Sequence, residues 1–128
     1  MNRLLFELQN FDSLITKLKR ERSKLDDGTH ARSERDTLQK AFDEERTRLS
    51  NLNTERSDKE LQQKSTEEKL ARQQSRLMNA TSAHEVTALQ RDIAALQKQR
   101  GDLDEAILML MDDIEQSSTR LAELEKEL

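Results

Sequence analysis

The sequence predicts an all-α fold, a long antiparallel coiled-coil helical hairpin. Three observations lead to this prediction. The 128 residues include no Pro and only two Gly, so little in the chain opposes helix formation. Charged residues make up 38% of the chain against 33% apolar residues, with three Phe and no Trp or Tyr, which is too little bulk for a globular core. Apolar residues recur in alternating steps of three and four, the heptad spacing of helices that pack along one seam.

The N-terminal segment, residues 1–27, carries the first apolar stripe. Arg22 occupies one position of this stripe. The apolar residues of the stripe are the candidate surface for self-association or a protein partner: Leu4, Leu8, Phe11, Ile15, Leu18 and Leu25. A basic cluster overlaps the stripe and is either a contact for phosphate or an acidic partner, or a solvated helix face: Lys17, Lys19, Arg20, Arg22 and Lys24.

Residues 26–29 divide this segment from the next. Gly28 indicates a helix break or kink, because Gly is the commonest residue just beyond a helix end. A continuous helix stays open as an alternative, since a lone Gly costs a helix only about 1 kcal/mol. A third alternative is that the first helix folds back at Gly28.

The first arm of the hairpin is predicted over residues 28–78. Its seam becomes polar between Leu52 and Leu70, so we expect this stretch to be the loosest part of the coiled coil. The polar residues either fix the register of the two arms or form a flexible elbow. The predicted seam consists of Leu38, Phe42, Glu45, Leu49, Leu52, Arg56, Lys59, Gln63, Thr66, Leu70, Gln73 and Leu77.

A turn is predicted at residues 79–82, before a second arm over residues 83–128. Its small polar residues Asn79, Ala80, Thr81 and Ser82 suit a tight connection, and Ser82 with Glu85 has capping-box spacing. The seam of the second arm alternates without interruption and consists of Val86, Leu89, Ile93, Leu96, Arg100, Leu103, Ile107, Leu110, Ile114, Ser117, Leu121, Leu124 and Leu128.

Folding the second arm onto the first pairs residues whose numbers add to about 163, which places Gln63 opposite Arg100. The stripe from Leu4 to Leu25 then has no partner within these residues. Three explanations stay open: the natural protein continues past residue 128, the stripe pairs with a second copy, or the first helix folds back.

Two stretches of the sequence resemble a known family. They are LLFELQNFDSLITKLKRERSKL at residues 4–25 and RLMNATSAHEVTALQRDIAALQKQRGDLDEAILMLMDDIEQ at residues 76–116. Both are similar to the coiled-coil hairpin of the bacterial C4-type zinc-ribbon family, to which a flagellar zinc-ribbon protein belongs. The agreement in register covers Glu85, Leu89, Leu96, Arg100, Leu103, Ile107 and Leu110.

The resemblance implies a non-enzymatic adaptor arm that contacts protein partners and, as a further role, nucleic acid. The family's zinc ribbon would lie beyond residue 128, so zinc is expected only there and no cofactor is expected in these residues. The alternative function is a purely structural spacer or dimerisation module. Absence of the ribbon's cysteines here is the main departure from the family pattern.

The sequence predicts neither a catalytic nor a metal site. There is no Cys, and the two histidines, His30 and His84, have no second ligand at metal spacing. The net charge of −4 is concentrated at the C-terminal end, where residues 101–128 hold nine Asp and Glu against Arg120 and Lys126, so DNA binding by charge alone is not favoured. No signal peptide or membrane span is recognisable, and we expect a cytoplasmic protein.

Overall fold

The computed structural model describes residues 2–128, with side chains from Leu8 onward, so the predicted stripe position Leu4 lies outside the described side chains. Two helices account for nearly all of this range: α1 spans Asn2–Met78 and α2 spans Ala83–Glu127. They pack against each other as an all-α helical hairpin, and the described residues include no strand. The predicted fold class is confirmed.

Helix α1 runs without interruption through residues 26–29, so the continuous alternative is observed and the predicted break is not. The boundary proposed between residues 27 and 28 is therefore not a helix end. Gly28 has no positive φ, and the hydroxyl of Thr29 donates to the carbonyl of Leu25 at 2.9 Å, a bond compatible with helix. The helix formers on both sides outweigh the cost of about 1 kcal/mol that one Gly imposes.

The turn lies where it was predicted, between Met78 and Ala83. Ser82 is the N-cap of α2, and its side chain accepts a hydrogen bond from the backbone N–H of Glu85 at 3.1 Å. At the other side, the N–H of Asn79 donates to the carbonyl of Arg76 at 3.1 Å. These bonds satisfy backbone groups that the two helix ends would leave unpaired.

The interface between the arms follows the predicted seams, except at Leu128, which is 46% exposed. From Leu38 to Leu77, the predicted seam positions of α1 are each buried or half-buried, whereas most positions between them are exposed. The most buried apolar side chains are Leu70, Leu89, Ile93, Leu103, Ile107 and Leu110. In the polar stretch, Thr66 is also buried and its hydroxyl donates to the carbonyl of Gln62 at 2.9 Å.

The described parts of the two helices differ in length. At 1.5 Å per residue, α1 is about 115 Å long and α2 about 68 Å. Every described side chain from residue 8 to residue 37 is exposed, and the covered positions begin at Leu38. We call residues 8–37 the overhang, because α1 extends there beyond the part that α2 covers.

Candidate interaction surface

The overhang carries apolar side chains in water that heptad spacing would normally bury. Phe11 is 61% exposed and Leu18 is 57% exposed, whereas Leu103 and Leu110 in α2 are 7% and 8% exposed. The described stripe residues therefore form one exposed apolar surface, which we call the overhang stripe: Leu8, Phe11, Ile15, Leu18 and Leu25. Stripes of this kind commonly mark protein contacts.

Leu14 belongs to the same surface, although the sequence analysis did not single it out. It is 54% exposed and directly precedes Ile15 on the helix. In heptad terms it flanks the seam, so a search restricted to seam positions passes over it. An apolar residue at a flanking position widens the stripe, as in helices that bury more than a narrow seam.

Charged side chains border the overhang stripe on both edges. Asp12 and Lys19 each follow a stripe residue by one position and lie on the same edge, seven residues apart. Glu21 lies on the opposite edge together with Leu14. Because all of these side chains are exposed, they are accessible to a helix that packs on the stripe.

The predicted basic cluster does not form a single face. On an uninterrupted helix at 100° per residue, Lys17, Arg20 and Lys24 lie on the side opposite the stripe. Lys19 borders the stripe, and Arg22 lies within it. The five cations are thus divided between two surfaces, with Glu21 between them, which weakens the cluster as a phosphate contact.

The overhang stripe and the hairpin seam face different directions. Continuing the seam of the first arm backwards from Leu38 in steps of three and four reaches Arg35, Ala31, Gly28, Lys24, Glu21, Lys17 and Leu14. The stripe positions are shifted by one residue from this series, which rotates the stripe by about a quarter turn around the helix. A helix that keeps the register of α2 would therefore meet mostly polar residues, together with Ala31 and Leu14.

The described residues of the hairpin turn form no comparable exposed apolar surface. Asn79, Thr81, Ser82 and Glu85 are exposed, and Ala80 is half-buried. The hydroxyl of Ser82 is engaged as the N-cap, and the side-chain amide of Asn79 donates to the carbonyl of Ser75 at 3.2 Å. In the structure these residues therefore connect the two helices and cap their ends.

The histidines lie apart from each other on exposed positions. The Nε2 atom of His30 lies 3.0 Å from Oε1 of Glu34, one helical turn along, and both side chains are exposed. His84 is exposed in the first turn of α2. Within the part of the chain whose side chains are described, no three His, Asp or Glu residues are arranged to hold a metal ion.

Among the described side chains, two polar atoms are enclosed inside the hairpin without a hydrogen-bond partner. Oε1 of Glu45 and the hydroxyl of Ser117 are buried without a hydrogen-bond partner in the structure. Both residues occupy predicted seam positions that the register places across from each other. Farther along, the side-chain amide of Gln63 donates to Oδ1 of Asp104, one turn beyond the predicted Arg100.

Neither of the described helices combines the length and apolarity that crossing a lipid bilayer requires.

Comparison with protein families gives one finding: the model of the CT398-like coiled coil hairpin domain matches residues 8–128. Comparisons with curated proteins and with solved structures returned no match. The family's description agrees with the two-helix hairpin described above.

Proposed function

The chain belongs to the CT398-like coiled coil hairpin domain family, and from this premise we propose that it is a non-enzymatic interaction arm. The hairpin supports α1, and the overhang presents its stripe to another α-helix. The observation that carries the proposal is the exposure of the overhang stripe, where Leu8, Phe11 and Leu18 are each more than half exposed. A long two-helix rod supports a structural or interaction role in general, and the exposure of the stripe supports a contact there.

The energetics of the overhang support this function. Burying one Leu, Ile or Phe side chain contributes about 1.5–3 kcal/mol, so a helix that covers the stripe gains several such terms. An isolated helix of this composition is marginally stable in water, because most helical stability in proteins comes from packing an apolar face. Binding would therefore stabilise the overhang helix and bury its stripe in one step.

The wider role that we propose is that of an adaptor arm in a zinc-ribbon protein. This part of the proposal rests on the resemblance of residues 4–25 and 76–116 to the zinc-ribbon family. It is tested on the full gene product, where two CxxC pairs following the hairpin are expected together with bound zinc. A gene product without them would favour the alternative, a structural spacer or dimerisation module.

Nucleic-acid binding has weaker support than protein binding. Lys17, Arg20 and Lys24 share one face of the overhang, which offers three cations to a phosphate backbone. The negative charge of residues 101–128 opposes such a contact. A gel shift at low salt that shows no complex would remove this role, since contacts with phosphates strengthen as salt falls.

The interaction role is tested by site-specific photo-crosslinking in cells that express the full-length protein. A crosslinker replaces Leu18 in the stripe or, as a matched control, Leu61, which is 68% exposed but lies outside both seams. We expect adducts between polypeptides at position 18 in clear excess over position 61. Equal yields at the two positions would contradict an interaction function of the stripe.

A further inference from the structure

We propose that the outer face of α2 around Leu108 binds a basic amphipathic α-helix of a partner protein. This face lies well inside α2, with helix on both sides of it, in the part of the hairpin where the two arms pack together. The inference goes beyond the proposed function, because it concerns a different helix and a different surface from the overhang stripe. Two features identify the surface, its exposed apolar side chains and the carboxylates around them.

The first feature is a cluster of apolar side chains on the solvent side of α2. Leu108 is 65% exposed, Met109 is 64% exposed and Met111 is 41% exposed. Ile107 and Leu110, which belong to the seam, are each 8% exposed, and Leu108 lies about 130° around the helix from them. Single exposed apolar residues are common on protein surfaces, but three within four positions form a contiguous patch, which is typical of a protein contact.

The second feature is the negative charge around this cluster. Between Gly101 and Thr119, α2 holds six Asp or Glu residues and no Lys or Arg. Apolar side chains surrounded by charges of one sign favour a partner whose apolar residues are surrounded by charges of the opposite sign. Four of the six acidic residues are exposed on the same outer face as the cluster: Asp104, Glu105, Asp112 and Glu115.

The hydrogen bonds of these carboxylates do not neutralise their charge. The side-chain amide of Gln116 donates to Oδ2 of Asp112 at 3.0 Å, and the side-chain amide of Gln63 donates to Oδ1 of Asp104. Both donors are neutral groups. Among the described side chains, the two salt bridges of the structure lie within α1. The negative charge of the outer face is therefore available to the cations of a partner.

This charge selects the class of macromolecule that fits the cluster. Nucleic acids and anionic lipid surfaces are negatively charged, so a surface without cations repels them. A protein segment with Lys and Arg around apolar residues is attracted to it. Because Leu108 and Met111 are one helical turn apart, the matching segment is an α-helix with apolar residues three or four positions apart. The flexible side chains of Met109 and Met111 adapt to such a helix without a preformed pocket.

The methyl groups of methionine report binding at this face in the intact chain. The probe is an amphipathic helical peptide of about 18 residues, built from Leu and Lys. We expect the NMR methyl signals of Met109 and Met111 to shift saturably as the peptide is added, while that of Met78 does not move. Met78 is 87% exposed at the hairpin turn, so it is the control for non-specific apolar contact. Equal shifts at Met78, or none at Met109 and Met111, would overturn the proposal.

The apolar contact is tested by substitution in the cluster. Leu108→Gln combined with Met111→Gln should weaken peptide binding at least about tenfold, measured at Met109, because both apolar anchors are lost. Leu61→Gln, at an isolated exposed position of α1, is the matched control and should change binding less than about twofold. All three positions are exposed, and circular dichroism checks that each variant stays helical. Undiminished binding by the double variant would contradict the proposed contact.

The role of charge is tested on both partners. Asp112→Asn with Glu115→Gln should weaken binding about three- to tenfold at low salt and make it less dependent on salt. Glu67→Gln with Glu68→Gln removes the same number of charges from exposed positions of α1 and should have no comparable effect. A peptide with Glu in place of every Lys should not bind, and equal binding of the two peptides would refute the choice of a basic partner.

Two further outcomes separate this inference from the proposed function. Leu18→Gln should bind the peptide as the wild type does. Loss of the Met109 and Met111 shifts in that variant would assign the peptide to the overhang stripe, which overturns the inference and leaves the proposed function standing. Shifts of both signals when the chain alone is concentrated would make the occupant a second copy and would also overturn the inference. Crosslinking at Leu18 tests the proposed function independently of all these results.

Discussion

Leu18 in the overhang and Leu110 in α2 occupy equivalent heptad positions, yet the first is 57% exposed and the second 8% exposed. Residues 38–77 of α1 have a covering helix, and residues 8–37 have none within the structure. The difference does not come from the heptad pattern, which is more apolar in the overhang than in the polar stretch between Leu52 and Leu70. It comes from where the covering helix lies.

The comparison distinguishes two roles of a heptad seam, packing within the hairpin and binding to another helix. In the hairpin, polar seam residues such as Gln63 and Thr66 are accommodated because the neighbouring apolar positions are buried. In the overhang, the apolar positions are still available for binding. A coiled coil can thus be well covered where it is polar and uncovered where it is apolar, and the uncovered part is where we expect function.

The largest contrast is expected from the same substitution in the two regions. Leu110→Ala removes a buried side chain and leaves a cavity, so it should lower the free energy of unfolding by about 2–3 kcal/mol. Leu18→Ala should change it by less than about 0.5 kcal/mol when the chain is dilute enough to be monomeric. Urea unfolding followed by circular dichroism measures both, and similar losses would mean that the overhang is covered within one chain.

Placing apolar side chains in the polar stretch should make the hairpin seam as apolar as the overhang stripe. Gln63→Leu combined with Arg100→Leu places two apolar side chains at half-buried seam positions and should stabilise the hairpin by about 1–2 kcal/mol, despite losing the bond to Asp104. Gln62→Leu with Gln99→Leu, at exposed neighbouring positions, is the control. An unchanged melting temperature would refute the placement of Gln63 and Arg100 in the seam.

The smallest effect is expected at the two glycines, which lie one in each region. Neither has an atom within 4 Å of an added Cβ, and neither has positive φ, so Ala should favour helix by about 0.5–1 kcal/mol at both. Gly101→Ala should raise the melting temperature of the hairpin. Gly28→Ala should raise the helicity of the overhang and leave that temperature unchanged, and a shared shift would indicate that the two regions unfold together.

Much of the fold could be predicted from the sequence because heptad spacing is a direct physical signal. The seams, the turn before Ser82 and the N-cap follow from apolar spacing and from the hydroxyl that satisfies the N–H of Glu85. The predicted break at Gly28 was wrong, because the cost of one Gly is small compared with the helical preference of its neighbours.

The candidate site could be predicted only in part. Spacing identified Leu8, Phe11, Ile15 and Leu18 as one apolar surface, and the structure shows that they are exposed. The quarter-turn offset between this surface and the hairpin seam depends on α1 being uninterrupted, which the spacing alone left open. A pattern of apolar residues specifies which face is buried and leaves the covering helix unspecified.

Hydrogen exchange tests the central claim most directly, because it reports the overhang and the hairpin separately in one sample. If no helix covers the overhang stripe, amide exchange over residues 8–25 should be at least about tenfold faster than exchange over residues 86–124. Equally slow exchange over the two ranges would contradict the account.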